Sequence, residues 1–348
     1  MGIWSTYGRR LERKRWRLRA RRKRRELTPL VDRTALIRPG DILVLSTLRD
    51  EAVRLPFFLR RYRAMGVAHF LVVDNGSTDG GRELLTAEPD VSLWATDASY
   101  ARARFGADWL NGLAMRHGVG HWCLTVDPDE LLVYPFCDTR PLRALTDWLD
   151  ASSVRSFGAM LLDLYPKGPL DAVPYRPGQD PLEIAPWFDG GNYAIRRDGR
   201  YGNLWIQGGP RARAFFADDP ARAPALNKIP LVRWDRRTAY VSSTHTLLPR
   251  GLNVVYDERG GEKASGVLLH AKFLDGFARK AAEELARREH HAGGHEYRAY
   301  AAGLARAPAS DPASDPASGL GLWCPWSERY RDWRQLEGLG LISKGGCA

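Results

Sequence analysis

Between residues 41 and 130, apolar runs that read as strands each end in an acidic loop and most feed a helix, an order that constrains the fold more than any other feature of the chain. Asp41-Ile42-Leu43-Val44-Leu45-Ser46-Thr47 reads as a strand, followed by Leu48-Arg49-Asp50-Glu51 and a helix through Met65. His69-Phe70-Leu71-Val72-Val73 repeats the pattern and enters Asp74-Asn75-Gly76-Ser77-Thr78-Asp79-Gly80-Gly81, where glycines and short polar side chains turn the backbone sharply and offer amides to a ligand. Val91 to Thr96 suits a third strand, Tyr100 to His117 a helix ending near Gly118, and His121 to Val126 a fourth strand. This alternation predicts an α/β fold, a mostly parallel sheet with helices on both faces, whose ligands bind at the carboxyl ends of the strands.

The fourth strand delivers Leu124-Thr125-Val126-Asp127-Pro128-Asp129-Glu130, an apolar run that ends in three carboxylates. Buried, uncompensated carboxylates are costly, so acids gathered at a strand end have a cation, a hydrogen-bond network or solvent to satisfy them. On an extended chain Asp127 and Asp129 face one side, where they can hold a hard divalent cation, Mn²⁺ or Mg²⁺, able in turn to grip a pyrophosphate. Taken singly, the same residues also fit a polar strand-to-loop turn, and the Asp-Asn-Gly-Ser stretch a hairpin or loop.

Together, Arg49-Asp50-Glu51, Val73-Asp74-Asn75-Gly76-Ser77-Thr78-Asp79-Gly80 and Asp127-Pro128-Asp129-Glu130, in this order and spacing, resemble the GT-A-type, family 2-like nucleotide-sugar glycosyltransferases, in particular a bacterial branch with Arg-Asp-Glu or Arg-Asn-Glu after the first strand. Gly266-Val267-Leu268-Leu269-His270-Ala271-Lys272-Phe273 also resembles that branch, so the likeness spans roughly residues 41 to 300. It implies a GT-A-like (Rossmann-like), mostly parallel sheet flanked by helices. It also implies an enzyme that moves a sugar from a nucleotide-diphosphate sugar to a saccharide or lipid-linked envelope acceptor, with inversion. By the same resemblance Asp74 contacts the nucleotide base, Asn75 and the Arg49-Asp50-Glu51 segment shape its pocket, and Asp127 and Asp129 hold the metal that bridges the phosphates. His270 is the third candidate metal ligand, and Lys272 with Arg211 or Arg213 meets phosphate oxygens. A lone histidine on an apolar strand is also a packed core residue, and the arginines are also solvated charges.

The chain departs from the resemblance at the base that accepts the acceptor's proton. Family 2 enzymes commonly use a Glu-Asp pair, and processive members carry Gln-x-x-Arg-Trp; here Arg233-Trp234 follow Pro230, which stands where the glutamine would, and this argues against processive synthesis. Asp189 in Trp187-Phe188-Asp189-Gly190-Gly191 and His245 in Ser243-Thr244-His245 are the base candidates, with loop capping and core packing as their other readings. Competing functions are nucleotidyl or phosphosugar transfer on a similar sheet and a non-catalytic basic-arm protein that binds nucleic acid or lipid.

The formal charge of +11 is local: residues 1–25 hold twelve Lys or Arg against the single acid Glu12, which accounts for all of it and leaves the rest of the chain balanced. Apolar Ile3, Trp4, Tyr7, Leu11, Trp16 and Leu18 interrupt these cations, so the segment suits a helix on an anionic membrane surface, with a solvated tail and nucleic acid as weaker readings. No apolar run approaches the roughly 18 residues that span a bilayer, and Cys123, Cys137, Cys324 and Cys347 form no Cys-x-x-Cys pair, so a reducing cytoplasm, with peripheral attachment to the inner membrane face, is the expected location. Strands are expected over 156–165, 211–216, 229–234 and 240–244, a long loop over 166–200, and a long helix over 275–304. The domain reading is a basic arm over 1–30, a catalytic domain over 31–305, a flexible Ala/Ser/Asp/Pro linker over 306–319 and an aromatic tail over 320–348 that docks on the body, a membrane or a partner.

Overall fold

The computed structural model describes residues 3–256, 263–287, 291–306 and 320–346. In chain order its strands are β1 (Thr28–Val31), β2 (Ile42–Leu48), β3 (His69–Asp74), β4 (Val91–Ala95), β5 (Trp122–Thr125), β6 (Glu130–Val133), β7 (Ser156–Asp163), β8 (Trp187–Asp189), β9 (Tyr193–Arg197), β10 (Leu204–Gly208), β11 (Asn227–Arg233), β12 (Ala239–Ser242), β13 (Thr246–Leu248), β14 (Ser265–His270) and β15 (Ser327–Arg329). Nine of them form one mixed sheet in the order β1-β4-β3-β2-β5-β11-β7-β14-β6. β2 to β5, β7 and β14 all point one way, and β1, β11 and β6 oppose them, so most strands are parallel in direction and their carboxyl ends share one edge.

The central strands are apolar throughout because both faces are covered. Ile42 and Val44 of β2 and Phe70 and Val72 of β3 enter one cluster, with α2 (Leu55–Ala64) and α5 (Leu142–Ala151). The alternate residues Leu43, Leu45, Leu71 and Val73 enter a second cluster on the other face. Fully burying such a side chain contributes roughly 1.5–3 kcal/mol, so the register of each strand is held by both faces at once.

The remaining helices are α1 (Ile3–Lys23), α3 (Gly81–Ala87), α4 (Ala107–Leu113), α6 (Gly209–Phe215), α7 (Phe277–Arg287), α8 (His291–Arg306) and α9 (Trp333–Gly338). Several differ from expectation. The helix expected over 100–117 is broken, because Arg104, Phe105 and Gly106 take left-handed conformations between a 3₁₀ turn at Ala101–Ala103 and α4. The strand expected over 211–216 is the helix α6: Gly208 adopts φ 147, a Cβ there would collide with the Asn192 carbonyl, and Pro210 sits in the first turn where its missing N–H costs nothing. The single helix expected over 275–304 is two, α7 and α8, and the long loop over 166–200 contains β8 and β9.

The basic arm is no free tail. α1 packs on α4 and β12, and Gly112 permits this, since a Cβ there would lie 3.3 Å from the Ala20 carbonyl. Residues 28–31 then join the sheet edge through β1. At the other end the aromatic tail docks on the body: β15 pairs with β8, and Trp333 packs 4.6 Å from the Phe136 ring while donating to Asp138. From residue 307 to 319 the stretch read as a linker lies outside the described residues. Cys123, Cys137 and Cys324 are free thiols, and among the described residues no helix is long and apolar enough to cross a membrane.

Candidate functional site

Strand direction assembles the site. Because β2, β3, β5, β7 and β14 run the same way, Arg49-Asp50-Glu51, Asp74-Asn75, Asp127-Pro128-Asp129, Asp163 and His270 all fall at or just beyond carboxyl ends on one edge of the sheet. There, backbone loops leave the sheet and side chains of several segments can converge.

The acidic segment is a turn rather than an extended run. Glu130 N–H donates to the Asp127 carbonyl at 3.0 Å, with Pro128 at the second position, where its fixed φ favours the bend. Asp127 and Asp129 therefore do not alternate along a strand, yet both line the same cleft. Glu130, 1% exposed, turns inward to a close ion pair with Lys228 of β11, whose ammonium also lies 3.6 Å from Asp127. Burial at the cleft floor, then the Glu130 carboxylate, raise the Asp127 pKa to about 7, although half of its side chain stays open to cleft water, which moderates the effect.

His270 sits at the end of β14, where the parallel register sets it beside Asp163 and the antiparallel one opposite Glu130. Its Nδ1 bonds Asp163 at 2.6 Å, and Asp163 also accepts from Arg211 at 2.7 Å. Its Nε2 points at Asp129, 3.4 Å away. Burial opposes a charged imidazole, but Asp129 and Asp163 outweigh it and raise the His270 pKa. Burial likewise works against ionised Asp129, but the His270 charge and hydrogen bond, with Arg54 and Lys280 beyond, hold it well below the usual carboxylate range.

The first two loops are laced together. Asp50 adopts φ 50 and accepts from the Thr78 N–H at 2.7 Å, while its own N–H donates to Ser77 Oγ at 3.0 Å. Arg49 donates to the Asn75 carbonyl at 3.3 Å, and the Asn75 amide donates to the Thr96 and Ala98 carbonyls, both at 3.0 Å. Glu51 accepts from Arg54 at 2.7 Å and pairs closely with Lys280. Asp74 departs from the place the resemblance implies: it is fully buried and turned into its own loop, accepting from Gly76 and Ser77 N–H at 3.1 Å and Arg82 at 2.6 Å, and it does not line the cleft. Its Oδ2 is buried without a hydrogen-bond partner among the described residues.

A cleft of about 250 Å³ joins these parts, and Arg49, Asp50, Glu51, Asn75, Asp127, Asp129, His270 and Lys272 line it. Lys272 also bonds Glu296 at 2.9 Å, and that carboxylate raises its pKa despite burial. The lining also carries the cations Arg54, Arg279, Lys280 and Arg287, none of them singled out by the sequence, with Arg54 and Lys280 paired to Glu51 and Arg287 to Glu284. On a linear reading the α7 cations are an ordinary solvated helix face; packing turns that face over the cleft. Lys228 was also missed, because an isolated lysine within an apolar run carries no motif.

Four expected residues lie elsewhere. Asp189 is bound by Arg213 at 2.9 and 3.1 Å and by the Tyr165 hydroxyl, and His245 bonds the Asn227 carbonyl at 2.5 Å in the turn after β12; neither lines the cleft. Arg211 and Arg213 are consumed by Asp163 and Asp189 instead of facing an open anion site. Their placement on α6, not on a strand, accounts for this.

Among the described residues no three carboxylate, imidazole or thiol groups converge tightly enough to hold a metal ion as they stand. The donor chemistry nevertheless suits a hard divalent ion: Asp129 and His270 Nε2 are neighbours, and Asp163 occupies Nδ1, the second contact that fixes the tautomer of a ligating imidazole. No protein-family model matches the chain, and no curated protein matches it.

Proposed function

We propose that this protein is a metal-assisted, single-transfer glycosyltransferase of GT-A-like design, moving a sugar from a nucleotide-diphosphate donor to a saccharide or lipid-linked acceptor with inversion. The observation that carries the reading is the meeting, in one cleft at the carboxyl edge of the sheet, of the Arg49-Asp50-Glu51 loop, Asn75, the Asp127-Pro128-Asp129 turn and His270, together with the cations Arg54, Lys272 and Lys280. Such a cleft holds both acids for a divalent ion and guanidinium and ammonium groups for phosphate oxygens.

Asp127, Asp129 and His270 would hold Mn²⁺ or Mg²⁺, which when bound supplies Lewis-acid stabilisation to the departing diphosphate. Arg54, Lys272 and Lys280 would neutralise the donor's remaining charge, and Asn75 with Arg49 would border the nucleoside. Asp74 acts beneath them as a positioning residue that holds the loop. The proton of the acceptor hydroxyl falls to a carboxylate that lines the cleft, Asp275 or Glu284, rather than to Asp189 or His245. Thermal shift of the full chain with UDP- and GDP-sugars, with and without Mn²⁺, tests this: a donor that binds only the folded state raises the melting temperature, and does so more with metal. Flat curves across the panel, or stabilisation that Asp129→Asn leaves intact, would overturn it.

A further inference from the structure

α1 is docked, and the docking sorts its side chains. Ala20 is fully buried, Arg19 pairs with Asp108 at 2.6 Å, and Trp16 lies beneath the Arg104 guanidinium at 4.1 Å. Glu12, the only acid among residues 1–25, is turned to the body, where it accepts from Tyr201 at 2.7 Å, Arg200 at 3.0 Å and Trp16 at 3.3 Å. What faces outward is therefore free of acids. It follows the spacing of one helical stripe: Tyr7, Leu11, Lys14, Arg15, Leu18 and Arg22.

Tyr7, Leu11 and Leu18 are 56%, 47% and 50% exposed. Single exposed leucines are ordinary, but these lie along one line and are flanked by exposed Arg10, Lys14, Arg21 and Arg22, which form no ion pair among the described residues. Like charges held together this way favour an anionic partner. Phosphodiesters of a nucleic acid would use the cations and leave the apolar line in water; a bilayer surface uses both, taking Tyr7, Leu11 and Leu18 at the acyl boundary and the cations among headgroup phosphates.

We propose that the outward face of α1 is a docking surface for an anionic lipid bilayer, carried rigidly by the body. This does not depend on what the cleft binds. The probe is co-sedimentation of the full chain with phosphatidylcholine vesicles with and without phosphatidylglycerol. Deleting the helix would uncover its seat, so only outward residues are changed. Each cation near a charged surface is worth roughly fivefold in partition, so K14Q/R15Q/R21Q/R22Q should lower binding to anionic vesicles by at least about a hundredfold. L11S/L18S should lower it by about tenfold or more at unchanged melting temperature. Exchange of the distant Arg329 and Arg331 for glutamine should change nothing. Equal binding to neutral vesicles, or wild-type binding by both α1 variants, would overturn the proposal. So would salt-sensitive RNA binding tighter than vesicle binding and indifferent to L11S/L18S, which would reassign the face to nucleic acid.

Discussion

Replacing His270 with Ala separates what the imidazole does for the fold from what it does for a metal. It is 7% exposed, and its two nitrogens meet Asp163 at 2.6 Å and Asp129 at 3.4 Å. Asp163 keeps Arg211 at 2.7 Å after the change, so one charge-assisted hydrogen bond is lost without orphaning the carboxylate, a cost of about 1.5–3 kcal/mol. The vacated ring volume adds on the order of 1 kcal/mol. For a 348-residue chain that melts as one unit, a total of about 2–4 kcal/mol corresponds to a drop of roughly 3–5 °C in melting temperature. Melting in EDTA should show this drop, and a Mn²⁺ titration should then show a weaker metal-dependent stabilisation than in wild type. No change in EDTA would refute the buried pairing. A full drop with wild-type Mn²⁺ response would end the ligand role and leave His270 as a core residue.

Other outcomes follow from the same geometry. Asp74→Ala removes the acceptor of two loop amides and of Arg82, so donor affinity and melting temperature should fall together, by about 2–4 kcal/mol in stability; weaker donor binding at unchanged stability would instead reveal direct contact with the nucleotide. Lys280→Met breaks the close pair with Glu51 in the cleft wall and should raise the KM for a nucleotide-sugar donor about tenfold or more with little change in fold; an unaltered KM in steady-state kinetics would remove Lys280 from donor binding. Burial, then the neighbouring Arg116 cation, hold the partly exposed His117 down to about 4. The unfolded chain therefore binds its proton first, and stability present above about pH 6.5 is lost as pH falls toward 4, by less than about 2 kcal/mol once solvent screening is allowed for. His117→Gln should flatten that part of a melting-temperature profile, and an identical slope would assign the pH dependence elsewhere.

Much of the architecture was legible before any coordinates. Continuous apolar runs such as Ile42 to Leu45 and Phe70 to Val73 can be satisfied only by a sheet covered on both faces, and loops after parallel strands must gather at one edge. Local sequence therefore determined the β-α core and brought Arg49-Asp50-Glu51, Asn75 and the acidic turn to a common cleft. Packing decided what sequence distance conceals. The α7 cations face the cleft because of how that helix lies on the body, and Arg211 and Asp189 are withdrawn because Asp163 and Arg213 claim them. Asp74 turns inward because Gly76, Ser77 and Arg82 offer it more hydrogen bonds than the cleft does. The basic segment shows the division most plainly: composition concentrated the charge in residues 1–25, but only the seat on α4 and β12 set which cations face solvent and turned the sole acid inward. A helix's inward face is chosen by what it packs against, and that surface is built from residues 83 to 189 positions away and beyond.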